Sequence, residues 1–261
     1  MDLSLKRRHA LICGSSQGIG LAIAQELALL GAKCTLLARN EDSLKKVITT
    51  LDDTHGQEHD YIVADFSDYH QVEQVVAHYI ENKIINILVN NTGGPAGGQI
   101  TEAQPESFLN AFQQHLICNQ VITQLVIPGM KISNYGRIIN VISTSVKIPL
   151  KGLGVSNTIR GAVASWSKTM ANELGAFGIT VNNILPGATA TARLESIINN
   201  KVEKTGIAKD DAENAMLNEI PMKRFGQPHE IAATAAFLAS PAAGYINGVS
   251  IPIDGGRTGS L

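Results

Sequence analysis

Short runs of apolar residues recur along this chain, each followed by a stretch in which apolar and polar positions alternate with helical spacing. HALIC (9–13), KCTLLA (33–38), YIVA (61–64), NILVN (86–90), RIINVI (137–142), TVNNIL (180–185) and VSIPI (249–253) are mostly apolar at successive positions rather than at alternate ones. Segments of that kind read as strands covered on both faces. Between them, GLAIAQELALLG predicts a helix stopped by Gly31, and NEDSLKKVITTL one capped by Asn40. Two longer helices are predicted, one from about Phe108 to Ile127 and one beginning near Ser156, both apolar on more than one face. Strand and helix alternate nearly throughout. The pattern predicts an α/β fold with a seven-stranded parallel sheet, doubly wound, with helices on both faces. No linker, repeat or low-complexity tract interrupts it, so residues 1–261 read as a single domain.

One stretch departs from this rhythm. ATATARLESIINNKVEKTGIAKDDAENAMLNEI, residues 188–220, is polar and charged and predicts short helices on an excursion between the sixth and seventh strands. An excursion at the carboxyl ends of parallel strands is placed to act as a substrate loop.

Charge narrows the set of partners. The net charge of -2, with 17% charged residues, argues against nucleic acid or an anionic membrane as the main partner, since both favour a clustered basic surface. KRR at 6–8 is a short basic run flanking the first strand. Cys13, Cys34 and Cys118 sit in apolar stretches, lack metal-ligand spacing and read as buried small hydrophobes, so no metal site is expected. Their odd number suits a reducing compartment. No apolar run reaches the roughly eighteen residues of a membrane span, and HALIC is too short for a signal-peptide core. A cytoplasmic protein acting on a small molecule is expected.

The chemistry is concentrated at strand ends. CGSSQGIG (13–20) joins the first strand to the first helix, and Gly14, Gly18 and Gly20 allow a tight turn whose amides approach a pyrophosphate. The spacing is G-x-x-x-G-x-G, and its position between strand and helix marks a Rossmann-type dinucleotide site. The second strand ends in LLARN, with Arg39 where an NAD site would carry a carboxylate. An arginine there pairs with a 2'-phosphate, so NADP(H) is preferred over NAD(H). Asp65 ends the third strand, where it is expected to contact an adenine, and VNNTGG (89–94) ends the fourth with amides and glycines near the cofactor cleft. Either alone also reads as turn chemistry, but together they line one edge of the sheet.

These motifs together resemble the short-chain dehydrogenase/reductases along essentially the whole chain. CGSSQGIG is similar to that family's T-G-x-x-x-G-I-G, NNTGG to its N-N-A-G, and PGATAT (186–191) to its P-G-x-x-x-T. IPMKRFGQPHEIAATAAFLAS and INGVSIPIDGG resemble the closing segment of the 3-oxoacyl-carrier-protein reductase type. The resemblance adds Ser16, Ile19, Phe66, Asn91, Gly93, Pro186, Gly187, Thr189 and Thr191 to the expected cofactor contacts. It also implies a homo-oligomer, a dimer or a tetramer, formed by pairing the two long helices.

The family's catalytic set of Asn, Ser, Tyr and Lys is largely missing. Ser143 matches the serine, but Ser156 stands in place of the tyrosine, Arg160 of the lysine and His115 of the asparagine. None of the five tyrosines falls between 143 and 160. The chain thus resembles an atypical branch with S-N-x-x-R in place of Tyr-x-x-x-Lys. Ser156 is a weaker acid than a phenol of pKa about 10, and shorter by a ring. Arg160, with an ordinary pKa above about 12, relays no proton but can hold ribose hydroxyls or a carboxylate. His115 is the one replacement that ordinarily titrates near neutrality, which makes it either a proton donor through water or a residue on the packed face of Phe108 and Phe112. Ser143 is expected to bind a carbonyl oxygen rather than only cap a turn. Lys147 and Lys151, in the loop that follows, are held in reserve as substrate cations.

The expected function is an NADP(H)-dependent oxidoreductase that reduces a carbonyl or an activated double bond with a substituted catalytic set. The alternative is a catalytically silent dinucleotide-binding sensor or partner subunit. A non-redox lyase ranks below both: the dehalogenases of this fold resemble the chain in having arginine in place of the lysine, but they keep the tyrosine and lose the glycine loop.

Overall fold

The computed structural model of the chain describes residues 1–260; Leu261 lies outside the described residues. Seven strands are present: β1 (His9–Cys13), β2 (Lys33–Ala38), β3 (Asp60–Val63), β4 (Ile87–Asn90), β5 (Gly136–Val141), β6 (Ile179–Pro186) and β7 (Ser250–Ile253). All pair in parallel, in the order β3-β2-β1-β4-β5-β6-β7. Each strand foreseen in the sequence is found, with ends displaced by no more than one residue. Its order reverses between β1 and β4, and ligands of such sheets bind at that point, beyond the strands' carboxyl ends.

The helices are α1 (Gly18–Leu29), α2 (Glu41–Ile48), α3 (Tyr69–Ile80), α4 (Pro105–Phe112), α5 (Cys118–Ile132), α6 (Gly154–Leu174), α7 (Ala192–Thr205), α8 (Lys209–Asn218) and α9 (Pro228–Ala239). One face of the sheet is covered by α1, α2 and α9, through Ile23, Leu27, Leu44, Ile231 and Ala235. The other is covered by α3, α5 and α6, through Val72, Val76, Ile122, Val126 and Met170. Side chains that alternate between two covered faces must be apolar at every position, which is why the strands read as unbroken hydrophobic runs. Asn40 caps α2 as expected, its Oδ1 accepting the Ser43 N–H at 2.8 Å. The three cysteines are buried and unpaired. Among the described residues no helix is long and apolar enough to cross a membrane.

Two features were not foreseen. The helix expected from about Phe108 to Ile127 runs as α4, a π-helical turn over Gln113–Ile117, and α5. The wider turn inserts a residue's worth of rotation, and it places His115 in the interior, 1% exposed. A buried amide ladder also crosses the middle of the sheet. Asn90 Nδ2 donates to Asn140 Oδ1 at 2.9 Å, Asn140 Nδ2 to Asn183 Oδ1 at 3.0 Å, and Asn183 Nδ2 to the Ser250 hydroxyl at 3.0 Å. These four residues are direct register partners on β4, β5, β6 and β7. An amide at one of these positions is tolerated only because the neighbouring strand presents its partner.

The excursion at 188–220 folds as α7 and α8, which pack on each other through Leu194, Ile198 and Ala212. Its base is closed by a bridge in which Ala190 N–H donates to Gly226 O at 2.8 Å and Gly226 N–H to Ala188 O at 2.9 Å.

Candidate active site

The carboxyl edge of the sheet opens into a cleft of about 1580 Å³, lined by the segments that follow β1, β4, β5 and β6 and by α7. Gly14 opens the first of these segments at φ +59°, a left-handed conformation that costs glycine little. Gly20 is packed so tightly that a Cβ would lie 2.3 Å from the Gly14 carbonyl oxygen. Asn91 braces the turn, its Nδ2 donating to the carbonyls of Cys13 and Gly14 at 3.2 and 3.1 Å. Ser15, buried, ties the same turn to the sheet, its hydroxyl donating to Ile12 O and accepting the Leu37 N–H. These contacts hold the turn against the N-terminus of α1, where Gly18 and Ile19 line the cleft and the helix terminus suits an anion.

Gly14, Gly18, Ile19, Asn91, Gly93, Pro186, Gly187, Thr189 and Thr191 all line the cleft. Arg39 and Asp65 lie beside a smaller depression at the ends of β2 and β3. Asp65 is held below the usual carboxylate range by the Ser67 N–H it accepts, with Arg39's charge adding. Three expected cofactor contacts sit elsewhere. Gly20 is buried behind the turn, where its role is close packing of α1. Ser16 lies outside the cleft lining, and the partly buried Phe66 packs against the core beneath α3 and α5.

Ser143, Ser156 and Arg160 converge on the cleft from β5 and α6. Ser143 Oγ accepts the Ser145 N–H at 3.1 Å, which caps a short 3-10 turn and leaves its own hydrogen free to donate. The turn-capping role and a cleft-facing role therefore coexist. Ser156 is half-buried one helical turn before Arg160. Asn157 secures the start of this helix by donating to Leu150 O at 2.9 Å.

Arg160 is only 7% exposed. It donates to Val141 O at 3.3 Å and Thr92 O at 3.4 Å. Burial lowers its pKa to about 10, with Arg193's charge adding, so it titrates below the ordinary range and still stays protonated at neutral pH. His115 departs further from expectation. Burial, followed by the charges of Arg160 and Arg193, lowers its pKa to about 3, and it is absent from the cleft lining. It is therefore neutral at physiological pH and no longer the neutral-range titrating donor its residue type promised. Its Nδ1 lies 2.5 Å from the Thr92 hydroxyl, and its Nε2 has no partner. Lys151 lines the cleft and Lys147 does not.

Sequence reasoning missed Thr92 and Arg193. Thr92 lies within NNTGG, where the family's N-N-A-G carries alanine. Arg193 follows PGATAT by two residues, and its guanidinium reaches across to donate to Pro95 O at 2.6 Å. A polar residue at an alanine position was a visible signal for the first; nothing in the pattern marked the second.

Comparison with known proteins identifies the family. A family model described as enoyl-(acyl carrier protein) reductase matches residues 14–258. The chain belongs to the short-chain dehydrogenase/reductases. It is 33% identical over 260 residues to the NADPH-dependent reductase BacG of Bacillus subtilis (strain 168), covering 98% of this chain and 100% of that protein. It is 30% identical over 254 residues to the 3-oxoacyl-[acyl-carrier-protein] reductase FabG of Haemophilus influenzae, covering 97% and 98%. A crystal structure of L-sorbose reductase from Gluconobacter frateurii, complexed with NADPH and L-sorbose, superposes with a TM-score of 0.92 at 30% identity, covering both chains fully.

Proposed function

We propose that this short-chain dehydrogenase/reductase is an NADP(H)-dependent reductase of a carbonyl or activated double bond in a small molecule. Arg39 beside Asp65, at the end of β2 where an NAD site would carry a carboxylate, is the observation that carries the cofactor assignment. The NADPH-dependent reductase BacG and the NADPH complex of L-sorbose reductase support it. Bound NADPH would supply the hydride. Gly14, Gly18 and the N-terminus of α1 would hold its pyrophosphate, Arg39 its 2'-phosphate, and Thr189 and Thr191 its nicotinamide end. The residues fit such a group: the turn is rigidly braced, glycine-lined and open to the cleft.

The substituted set changes how a proton reaches the product. Among the described residues no tyrosine, histidine or cysteine lines the cleft. Ser143 and Ser156 offer hydroxyl donors to a carbonyl oxygen, and Arg160 fixes positive charge beside them. That arrangement stabilises a developing oxyanion without itself being a strong acid, which suits conjugate hydride addition better than direct carbonyl reduction, with water as the final proton source. α7 and α8 form the substrate loop. Three unpaired, buried cysteines support a reducing, cytoplasmic setting. Leu109 and Phe112 on α4, 69% and 40% exposed, support a homo-oligomer, checked by light scattering.

Titration with NADPH and NADH by cofactor fluorescence tests the reading. NADPH is expected to bind at least tenfold tighter, and Arg39→Asp to abolish that preference, since a charge-assisted phosphate pair contributes about 1.5–3 kcal/mol. Failure to bind either cofactor refutes it. The missing strong acid also favours a second reading, a dinucleotide-binding sensor. Cofactor binding without NADPH turnover on any carbonyl or enone would select that reading.

A further inference from the structure

Two arginines at one end of the cleft carry no counter-charge. Arg160 is more than nine-tenths buried, and Arg193 is exposed at the cleft edge. Among the described residues neither forms an ion pair. Both grip the same segment after β4: Arg160 donates to Thr92 O and Arg193 to Pro95 O, and Arg193 also lies against Gly94, where a Cβ would meet its guanidinium at 3.4 Å. Each guanidinium has five N–H donors, and the backbone carbonyls named here use two of Arg160's and one of Arg193's.

The surroundings do not neutralise them. Six cationic side chains line the cleft against two carboxylates, Glu102 and Glu219, and Glu219 is already paired with Arg257. This excess stands in a chain whose net charge is -2. A buried cation without a partner is costly, and two that share a loop repel each other, so an anion between protein segments here would relieve both terms.

The cofactor's phosphates have other partners. Its pyrophosphate is matched by the glycine turn after β1, and a 2'-phosphate by Arg39 at the end of β2, both on the β1–β2 side of the switch point. Arg160 instead bonds to the end of β5, two residues before Ser143, and lies one turn beyond Ser156. The apolar side chains of Ile142, Ile148, Leu150 and Leu153 line the same cleft.

We infer that Arg160 and Arg193 form an anion subsite for the substrate, and that the substrate is a small acid whose carboxylate binds there while its apolar body lies against the wall from Ile142 to Leu153. The inference rests on the reductase reading above and sharpens it from any carbonyl or enone to one that carries a carboxylate. The planar forks of the two arginines match carboxylate oxygens, and an uncharged analogue would leave the buried Arg160 without a counter-charge.

Benzoate and its uncharged isostere benzamide, titrated at constant ionic strength into protein saturated with NADPH, test this by cofactor fluorescence. Benzoate is expected to bind at least about tenfold tighter than benzamide, the scale of a charge-assisted hydrogen bond. Arg193→Gln is expected to reduce that preference to about threefold or less, and Arg160→Gln to do the same. Equal binding of the two probes, or binding of neither, overturns the subsite. So does a fall in NADPH affinity of tenfold or more in Arg193→Gln, which would give the arginine to the cofactor's phosphates instead. Failure of NADPH itself to bind the unmodified protein refutes the reductase reading, whereas NADPH binding without a benzoate preference refutes only the subsite.

Discussion

Lowering the pH from 7 to 5 should cost this protein about 4 kcal/mol of folding stability through two buried histidines. His9, 9% exposed, packs at the amino end of β1 with its Nε2 2.7 Å from the Thr35 hydroxyl, which in turn lies 2.7 Å from the Tyr79 hydroxyl. Burial, then the charges of Lys33 and Lys83, lowers its pKa from 6.5 to about 4. His115 is lowered from 6.5 to about 3 by burial and the two arginines. In the unfolded chain both protonate near 6.5, so between that pH and the folded pKa the unfolded state binds the extra proton. Stability from each histidine is therefore present above pH 6.5 and is lost as pH falls toward 4 for His9 and toward 3 for His115. At about 1.4 kcal/mol per pH unit, each contributes about 2 kcal/mol between pH 7 and 5. Urea unfolding followed by circular dichroism at pH 7, 6 and 5, at constant ionic strength, measures it. His115→Asn removes one of the two titrations and should halve the loss. A total loss under about 1 kcal/mol, or the same loss in the variant as in the parent, would refute the assignment of these groups as buried and neutral.

Three further outcomes follow from the packing around the cleft. Gly20→Ala drives a methyl to 2.3 Å from the Gly14 carbonyl oxygen and 2.6 Å from Asn91 Nδ2. The turn must shift, so urea unfolding should show a loss of about 1–3 kcal/mol, and NADPH titration a tenfold or greater fall in affinity. Asn140→Ala strands Asn90 Nδ2 and Asn183 Oδ1 in the sheet interior and should cost about 2–4 kcal/mol, read as a lower urea midpoint at unchanged slope. Ser143→Ala should leave NADPH affinity within about twofold while lowering substrate-dependent NADPH oxidation about a hundredfold; unchanged oxidation would remove Ser143 from the site.

Periodicity and composition were enough for the architecture. A strand buried on both faces must be apolar at successive positions, and a crossover helix must show one apolar stripe, so the parallel sheet and its order of elements are legible locally. The glycine turn is equally legible, because a Cβ at Gly14 would lie 2.4 Å from the Asn91 carbonyl oxygen and one at Gly20 2.3 Å from that of Gly14. Arg39 at the end of β2 and the absence of tyrosine at 156 are facts of the chain alone. What residue identity could not convey is electrostatic environment. The same histidine titrates near neutrality on a surface and at about 3 behind Thr92, and that difference comes from a π-helical turn and from two arginines distant in the chain. Arg193 entered the site for a similar reason: it sits in a polar excursion that reads as surface, and only the closure of α7 over the segment after β4 brings its charge beside Arg160. Burial and charge proximity are sums over neighbours from the whole chain, so they arise with the tertiary fold and leave no mark in any short stretch of sequence.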